Sequence, residues 1–284
     1  ESLAVDQVKR FSAVLFGDGD FRMRTEDRPL PPGVKPGDRL ALGPLGATVT
    51  RLLNHPRVVE LEFDGSPGQI WEGLARHGRP IQYSHVQEQL AMWDVWTPIA
   101  GPPVAFEPPS AGFVLDWSAL ASMTARRVHF ATITLAAGIS STGDANLDAL
   151  LPFDEPYRIP SSTAIAIRRS RELGGRIVAI GTTVVRALEH AAALDGIVRA
   201  GERSATQRVG AASRLRIVDA IVSGTHERGT SHYELLRAFA DDEMLGRIDK
   251  ELNTRGYRTH EFGDSVFLER ADSGLAQLFE PSAP

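Results

Sequence analysis

A glycine and two threonines lie where an apolar run turns into a helical pattern, in the stretch RIVAIGTTVVRALEHAA. Residues 177–180 include no polar side chain, which is typical of a parallel strand covered on both faces. From Val184 onward the apolar residues recur at helical spacing, and Thr182 or Thr183 is the predicted N-cap. The unpaired amides of a helix start attract a carboxylate, a phosphate or a ribose hydroxyl. The corner that begins at Gly181 is therefore a candidate ligand site, with a plain connecting turn as the alternative.

A histidine lies in a second corner of this kind, within VSGTHERGTSHYELLRAFA. Residues 214–222 have the apolar content of a strand, and Ser231 followed by Glu234 is typical of a capping box. His226 in the intervening loop titrates near neutral pH and suits proton transfer, with a solvated loop histidine as the alternative. Because the carboxyl ends of strands meet at one sheet edge, we expect both corners in one pocket.

The elements that must position these corners change in kind near residues 80–110. Earlier runs such as RPLPPGVKPGDRLALG and RVVELEFDGSPG are short, strand-like and separated by Gly, Pro and Asp turns, which predicts a small sheet or barrel. Later patterns alternate between helix and strand, as in an α/β protein. One helix is predicted from Ser161 or Ser162 to Gly174, and a final helix ends at Gly256.

Composition excludes several classes of protein. The 284 residues include no cysteine, so disulfides, thiolate zinc sites and a cysteine nucleophile are excluded. The net charge of −5 argues against general affinity for polyanions, although a local basic patch could still bind nucleic acid. No apolar run approaches the roughly 18 residues of a membrane span, and we expect a cytoplasmic location, no membrane partner and no metal. An ordinary Rossmann methyltransferase is disfavoured, because no glycine-rich turn with a later acidic residue is present.

Several segments resemble one known family. RIVAIGTTVVRALE resembles the Val-Gly-Thr-Thr-Ser-Val-Arg-Thr-Leu-Glu signature of the queuosine-pathway S-adenosylmethionine:tRNA ribosyltransferase-isomerases. EPPSAGF, VHFATITLAAGIS, VDAIVSGTHERGTSHYELLRAFA and HEFGDSVFL are similar to further segments of that family, in the same order. The similarity runs from about Val95 to Leu268 and is weaker at VKPGDRLALG. Only the Gly-Thr-Thr signature is specific by itself.

The resemblance implies a fold as well as a reaction. The implied fold class is α/β: a sandwich with a mixed sheet plus a smaller β-barrel-like domain near the N-terminus. Residues 1–80 would form the barrel-like domain and residues 81–284 the S-adenosylmethionine-binding catalytic domain. The family has a further N-terminal segment with Asn-Asp-Thr-Arg, and nothing like it occurs here. A chain that begins at Glu1 is thus expected to be an N-terminally short member, or a processed or trimmed form.

The implied reaction uses S-adenosylmethionine as a co-substrate. Its ribosyl group is transferred to the aminomethyl group of a 7-deazaguanine base in tRNA, which releases adenine and methionine and leaves an epoxycyclopentane. This chemistry needs a base beside the sulfonium, groups that hold the ribose and an acid that helps adenine to leave. The implied partners are S-adenosylmethionine and tRNA, and the oligomeric state stays open.

The resemblance also implies site residues. The predicted catalytic residues are His226, which matches the family's loop histidine, and Glu155, which matches the glutamate of Ser-Glu-Tyr-Tyr and would bind ribose hydroxyls or the transferred amine. The predicted substrate-binding residues are Ser110, Gly112, Ala137, Gly138, Tyr157, Gly181, Thr182, Thr183, Arg186, Glu227, Thr230, Ser231 and His232. Arg186 is expected to meet a carboxylate, with a surface salt bridge as the alternative.

Departures from the family segments leave the acceptor open. The family's His-Val-Gly-Ala-Gly-Thr-Phe is TLAAGIS here, and its Asn-Phe-His-Leu-Pro-Lys is GTHERG. The donor-side signature differs less. Besides the tRNA enzyme, the sequence therefore allows a diverged S-adenosylmethionine-using enzyme with a small-molecule acceptor, or a noncatalytic binding protein.

Overall fold

The computed structural model of the chain describes residues 8–100, 109–258 and 262–270. Its strands are β1 Arg10–Val14, β2 Arg39–Leu42, β3 Leu45–Leu52, β4 Val58–Phe63, β5 Thr134–Leu135, β6 Glu155–Ile159, β7 Val178–Ile180, β8 Gly201–Ala205, β9 Ala220–Gly224 and β10 Ser265–Glu269. Its α-helices are α1 Pro67–His77, α2 Trp117–Ala125, α3 Ala145–Asp148, α4 Ser161–Glu172, α5 Thr182–Ala191, α6 Ser231–Leu236 and α7 Asp242–Arg255. Short 3₁₀ turns occupy Thr25–Asp27, Met92–Val95 and Ser110–Val114.

The chain divides into two compact units. The first contains Glu1–Trp96 and Ser141–Leu151, and the second contains Thr97–Ser140 and Pro152–Pro284. Each is built around its own apolar cluster. The sequence predicts two domains, residues 1–80 and 81–284, that fold and act independently. This assignment stays a prediction. In the described ranges no helix combines the length and the apolar character needed to cross a bilayer.

The first unit is built on a four-stranded antiparallel sheet in the order β1-β4-β3-β2. Alternate residues of β3 and β4 face its core, which contains Ala47, Val49, Val59, Leu61, Phe63 and Ile70. Ile70 comes from α1, a helix that the sequence analysis missed although Ser66 and Gln69 form its capping box. The predicted short strands are present. The predicted barrel is not confirmed, because β1 and β2 are the two edges of an open sheet in the described residues.

The second unit contains two three-stranded sheets. One has the order β10-β9-β7 and is mixed, since β7 runs parallel and β10 antiparallel to β9. The other, β5-β6-β8, is antiparallel. Helix α5 packs against β7 and β9 of the first sheet and against β6 and β8 of the second. The predicted α/β class with a mixed sheet is therefore observed, with α5 between the sheets.

Several predicted boundaries move by a few residues. Pro160 is the N-cap of α4, and Ser161 is already its first helical residue, so neither predicted serine caps it. The predicted ends at Gly174 and Gly256 are confirmed, and both glycines have a φ of 69°. The strand predicted from residue 214 begins only at Ala220. The reason is that the backbone amides of residues 216–218 donate to the Glu189 carboxylate instead of to a neighbouring strand.

Candidate functional site

The first corner follows β7. Gly181 has φ 99° and ψ 149°, a conformation essentially confined to glycine, and its amide donates to the Val222 carbonyl at 2.8 Å. Gly181 is also the N-cap of α5. The predicted threonine cap is therefore wrong, because Thr182 and Thr183 already lie inside the first helical turn. Since glycine offers no capping side chain, the first amides of α5 keep their capacity to bind an anion or a hydroxyl.

The second corner lies at the same edge of the sheet as the first. β7 and β9 are adjacent and parallel, with Ile180 opposite Val222, so both strands end side by side. The shared edge confirms the geometric part of the sequence prediction. That both corners bind one ligand stays a prediction. Helix α6 begins after this corner with Thr230 as its N-cap, whose hydroxyl accepts from the Tyr233 amide, so the predicted capping box at Ser231 is wrong.

His226 is held against the end of β9. Its Nε2 lies 3.1 Å from the Oγ of Ser223, whose residue is only 1% exposed. A Cβ added to Gly224 would lie 3.7 Å from Cε1 of His226, so the imidazole covers that glycine. The ring of His232 packs edge-on at 4.7 Å between centroids. The structure thus brings two predicted residues, His226 and His232, into contact, and adds Ser223, which the sequence analysis missed.

The remaining predicted residues of this loop lie on its outer side or in the cap of α6. Glu227 is exposed, and its carbonyl accepts from the hydroxyl of Thr230 at 2.8 Å. Ser231 is the first residue of α6 and is partly buried. These contacts fix the start of α6. The roles of Glu227, Thr230 and Ser231 in substrate binding stay predictions.

Arg186 forms a buried ion pair with Glu155. Its Nη1 lies 2.5 Å from Oε2 of Glu155, and the two side chains are 4% and 6% exposed. Arg186 also donates to the carbonyls of Phe153, Ala205 and Gln207 at 3.1–3.2 Å. The carboxylate that Arg186 meets in this structure is thus that of Glu155. A surface salt bridge is excluded for this arginine, because both partners are buried.

The other oxygen of Glu155 reaches the loop after β5. Oε1 accepts from the Gly138 amide at 3.0 Å, so the ion pair fixes the backbone of a predicted binding residue. Ala137 precedes this glycine and is partly buried. A Cβ added to Gly138 would lie 3.7 Å from the same carboxylate oxygen, which leaves only ordinary contact space.

Tyr157 lies two residues after Glu155 on β6 and is 1% exposed. Its hydroxyl is 2.9 Å from Nδ1 of His190. Burial raises the pKa of Tyr157, and burial, helped by Arg203 and Arg186, lowers the pKa of His190. The Tyr157 side chain is thus part of the core, and its predicted contact with substrate stays a prediction.

The 3₁₀ turn Ser110–Val114 lies beside the first corner. A Cβ added to Gly181 would lie 3.6 Å from Cβ of Ala111. A Cβ added to Gly112 would lie 2.7 Å from the Ile99 side chain and 2.9 Å from Oγ1 of Thr97, so a larger residue there would force these side chains to move. Thr97 is 3% exposed, and its hydroxyl has no hydrogen-bond partner within the described part of the chain. The sequence analysis did not single out Thr97, and only its closeness to the turn marks it.

All of these residues belong to the second unit, and α5 links them. Its first residues border the turn Ser110–Val114 and the end of β9, while Arg186, one turn later, reaches Glu155 and through it Gly138. No group of three His, Asp or Glu side chains suited to a metal occurs within residues 8–100, 109–258 and 262–270. The arrangement offers backbone amides, hydroxyls and the imidazoles of His226 and His232, which suits the binding of a polar small molecule and proton transfer.

Comparison with known families gives one match. The family model described as queuosine biosynthesis protein matches residues 21–268, which include both corners and the turn Ser110–Val114. The match covers most of the chain.

Individual relatives carry a common name. A protein of Citrifermentans bemidjiense is 38% identical over 163 residues, and one of Gloeobacter violaceus is 30% identical over 288 residues. Both are named S-adenosylmethionine:tRNA ribosyltransferase-isomerase. The alignments cover 56% of this chain and 48% of the first relative, and 94% of this chain and 81% of the second. The chain thus spans about half the length of the first of these relatives.

Solved structures are also similar to this chain. One of them is an S-adenosylmethionine tRNA ribosyltransferase of Thermotoga maritima, with 24% sequence identity and a TM-score of 0.46. The aligned region covers 82% of this chain and 66% of that protein.

Proposed function

We propose that this chain, which belongs to the queuosine biosynthesis protein family, transfers the ribosyl group of S-adenosylmethionine to a 7-aminomethyl-7-deazaguanine base in tRNA. Adenine and methionine are the other products. The observation that carries the proposal is the pair of corners at one sheet edge, with uncapped helix amides after Gly181 and an imidazole at His226. The shared name of the relatives supports the same reaction.

The donor binds at the first corner in this proposal. Its methionine part carries a carboxylate and its ribose carries hydroxyls, and both kinds of group pair well with helix N-terminal amides. Gly181 allows close backbone approach, while Thr182 and Thr183 add hydroxyls in the same turn. Ser110 and Gly112 form the neighbouring wall, because their turn lies against Gly181.

His226 acts as the base. It removes a proton from the carbon beside the sulfonium, and the electron pair left on that carbon is stabilised by the adjacent positive sulfur. An imidazole suffices for this step because the proton is already acidified and a histidine side chain can act as a base. His232, in edge contact with His226, helps to place the ring.

Glu155 keeps its predicted role as the carboxylate that binds ribose hydroxyls or the transferred amine. Its ion pair with Arg186 and its bond to Gly138 hold it in one orientation. Arg186 thereby contributes to substrate binding indirectly, because it holds Glu155 in place. Ala137, Tyr157, Glu227, Thr230 and Ser231 complete the proposed substrate-binding set.

The proposal extends to the whole protein. tRNA is the acceptor and the location is cytoplasmic, where tRNA is modified. Residues 81–284 form the catalytic domain, and the sheet β1–β4 is part of a barrel-like domain within residues 1–80. The antiparallel pairing within the sheet and the short connections from β2 to β3 and from β3 to β4 support this assignment.

The test measures adenine and methionine after incubation with S-adenosylmethionine and one of several acceptors. tRNA that carries the aminomethyl-deazaguanine base is the substrate, and the same tRNA with guanine at that position is the matched control. Release only with the modified tRNA supports the proposal. Release without tRNA favours a small-molecule acceptor, and tight donor binding without release with any acceptor favours a noncatalytic binding protein.

A further inference from the structure

We propose that Ser223 is a positioning residue whose hydroxyl holds the imidazole of His226 in one orientation and one tautomer for proton transfer. The inference rests on the proposed function, because it deepens the role given there to His226. It is carried by the 3.1 Å separation of Oγ and Nε2 and by the burial of Ser223.

The sheet fixes the position of the Ser223 backbone, from which the hydroxyl extends. β9 is the central strand of its sheet, and Ser223 is paired with Val266 on β10. β10 restrains the backbone of Ser223 directly, and β7 restrains the preceding residue, Val222. At 1% exposure the Ser223 side chain is removed from solvent. A buried hydroxyl that lost this imidazole would pay the cost of an unsatisfied polar group, so the pair has reason to persist.

The backbone that leads to His226 is anchored independently. Thr225 is 2% exposed, its amide donates to the Asp264 carbonyl, and its hydroxyl donates to the Arg258 carbonyl, each at 3.2 Å. The ring itself lies over Gly224 and against His232. These contacts restrict where the ring can go, and the bond to Ser223 selects how it is turned.

A serine suits this place because its hydroxyl oxygen can accept from Nε2–H. In that tautomer the lone pair of the imidazole is on Nδ1, which takes the proton from S-adenosylmethionine, while Nε2–H keeps its bond to Oγ. The heavy atoms of this pair need not move when His226 takes a proton. Alanine at the same place would remove the acceptor, whereas threonine would keep the hydroxyl.

The first test uses single-turnover release of adenine. Ser223→Ala is expected to lower the rate about tenfold, the usual worth of one hydrogen bond of this kind, while Ser223→Thr stays within about threefold of wild type. In a His226→Gln background, Ser223→Ala is expected to cause no further loss, because it acts through the histidine. Thr163→Val removes another buried hydroxyl, one that donates to the Thr132 carbonyl, and should leave the rate unchanged.

The second test measures the tautomer of the His226 ring directly. ¹⁵N NMR of histidine-labelled protein, with the His226 signals assigned by their loss in His226→Gln, is expected to show one dominant tautomer in wild type and a mixture in Ser223→Ala. If the alanine variant does not fold, Ser223→Cys replaces it, since a thiol is a weak hydrogen-bond partner.

Any one of three results overturns the inference: a wild-type rate in Ser223→Ala, a tenfold further loss in the His226→Gln background, or an unchanged tautomer. If wild type releases no adenine with any acceptor, the proposed function fails. The NMR result then decides alone whether Ser223 orients His226.

Discussion

His226 has contacts on three sides, from Ser223, Gly224 and His232, and its proposed task is to move one proton. Replacing it with glutamine keeps hydrogen-bonding capacity but removes the ability to take up a proton. We expect adenine release in a single turnover to fall about 10²- to 10⁴-fold, with donor affinity by calorimetry little changed. The exposed His77→Gln variant should match wild type.

Two other outcomes for His226→Gln have distinct meanings. Weaker donor affinity with a normal rate at saturation would make His226 a binding residue. An unchanged single-turnover rate would eliminate the proposed proton transfer.

The buried Arg186–Glu155 pair predicts a stability effect. Arg186→Met would leave Glu155 without its cation and three backbone carbonyls without their donor, so we expect the free energy of unfolding to fall by about 3–5 kcal/mol. Urea unfolding measures this loss. Arg199→Met removes an exposed arginine from its pair with Asp195 and should cause no measurable change. Equal stability of the two variants would contradict a structural role for Arg186.

His190 predicts a pH dependence of stability. Because burial lowers its pKa, the folded protein takes up this proton only at a lower pH than the unfolded chain does. The unfolded state therefore binds more protons below the ordinary histidine pKa of about 6.5, and stability falls as the pH drops through that range. His190→Gln should flatten this part of the curve of unfolding free energy against pH. The same slope in wild type and variant would refute the assignment.

At the scale of elements, the turn from β7 into α5 depends on the backbone conformation of Gly181. Gly181→Ala would place a side chain at φ 99°, at a cost of about 1–3 kcal/mol, although Cβ itself would have room beside Ala111. We expect lower stability in urea and weaker S-adenosylmethionine binding by calorimetry. Gly68→Ala, near the start of α1 with nothing within 4 Å of the added Cβ, is the control and should not destabilise. Wild-type donor affinity in Gly181→Ala would exclude this corner from the donor site.

Local patterns predicted the elements better than their ends. The apolar run of β7, the periodicity of α5 and the glycines at 174 and 256 are local signals, and the structure agrees with them. The cap of α6 was misplaced because Thr230 and Ser231 are both hydroxyl residues, and only backbone torsion decides which one precedes the helix. The cap of α4 was misplaced because Pro160, which has no capping side chain, precedes that helix. The late start of β9 depends on Glu189, which lies far from it in the sequence. The Glu189 carboxylate accepts the hydrogen bonds of the amides just before β9.

Some site residues could be predicted from the sequence, and others could not. Gly181 and His226 lie in recognisable segments, so the sequence could indicate them. In the sequence, nothing distinguishes Ser223 from other small residues in an apolar strand. Only the fold shows that its hydroxyl lies beside an imidazole. Thr97 likewise becomes a candidate site residue only because the structure places it close to Gly112.

At the scale of the whole molecule, the change in pattern near residue 80 indicated two kinds of structure but not their full composition. Residues 141–151 belong to the first compact unit. Arg57 reaches Asp144 at 3.4 Å and the Thr142 carbonyl at 3.5 Å, contacts between segments far apart in sequence. Periodicity carries no information about such contacts. The barrel expected from the family resemblance is an open sheet in the described residues.

Transfer of the donor's ribosyl carbons to tRNA is the most direct test of the central claim. The protein would be incubated with S-adenosylmethionine labelled with ¹⁴C in the ribose and with tRNA that carries the aminomethyl-deazaguanine base. We predict that label enters the tRNA in step with adenine release, and that His226→Gln slows both together. Adenine release with all ribosyl label left in small molecules, or no release at all with bound donor, would contradict the claim.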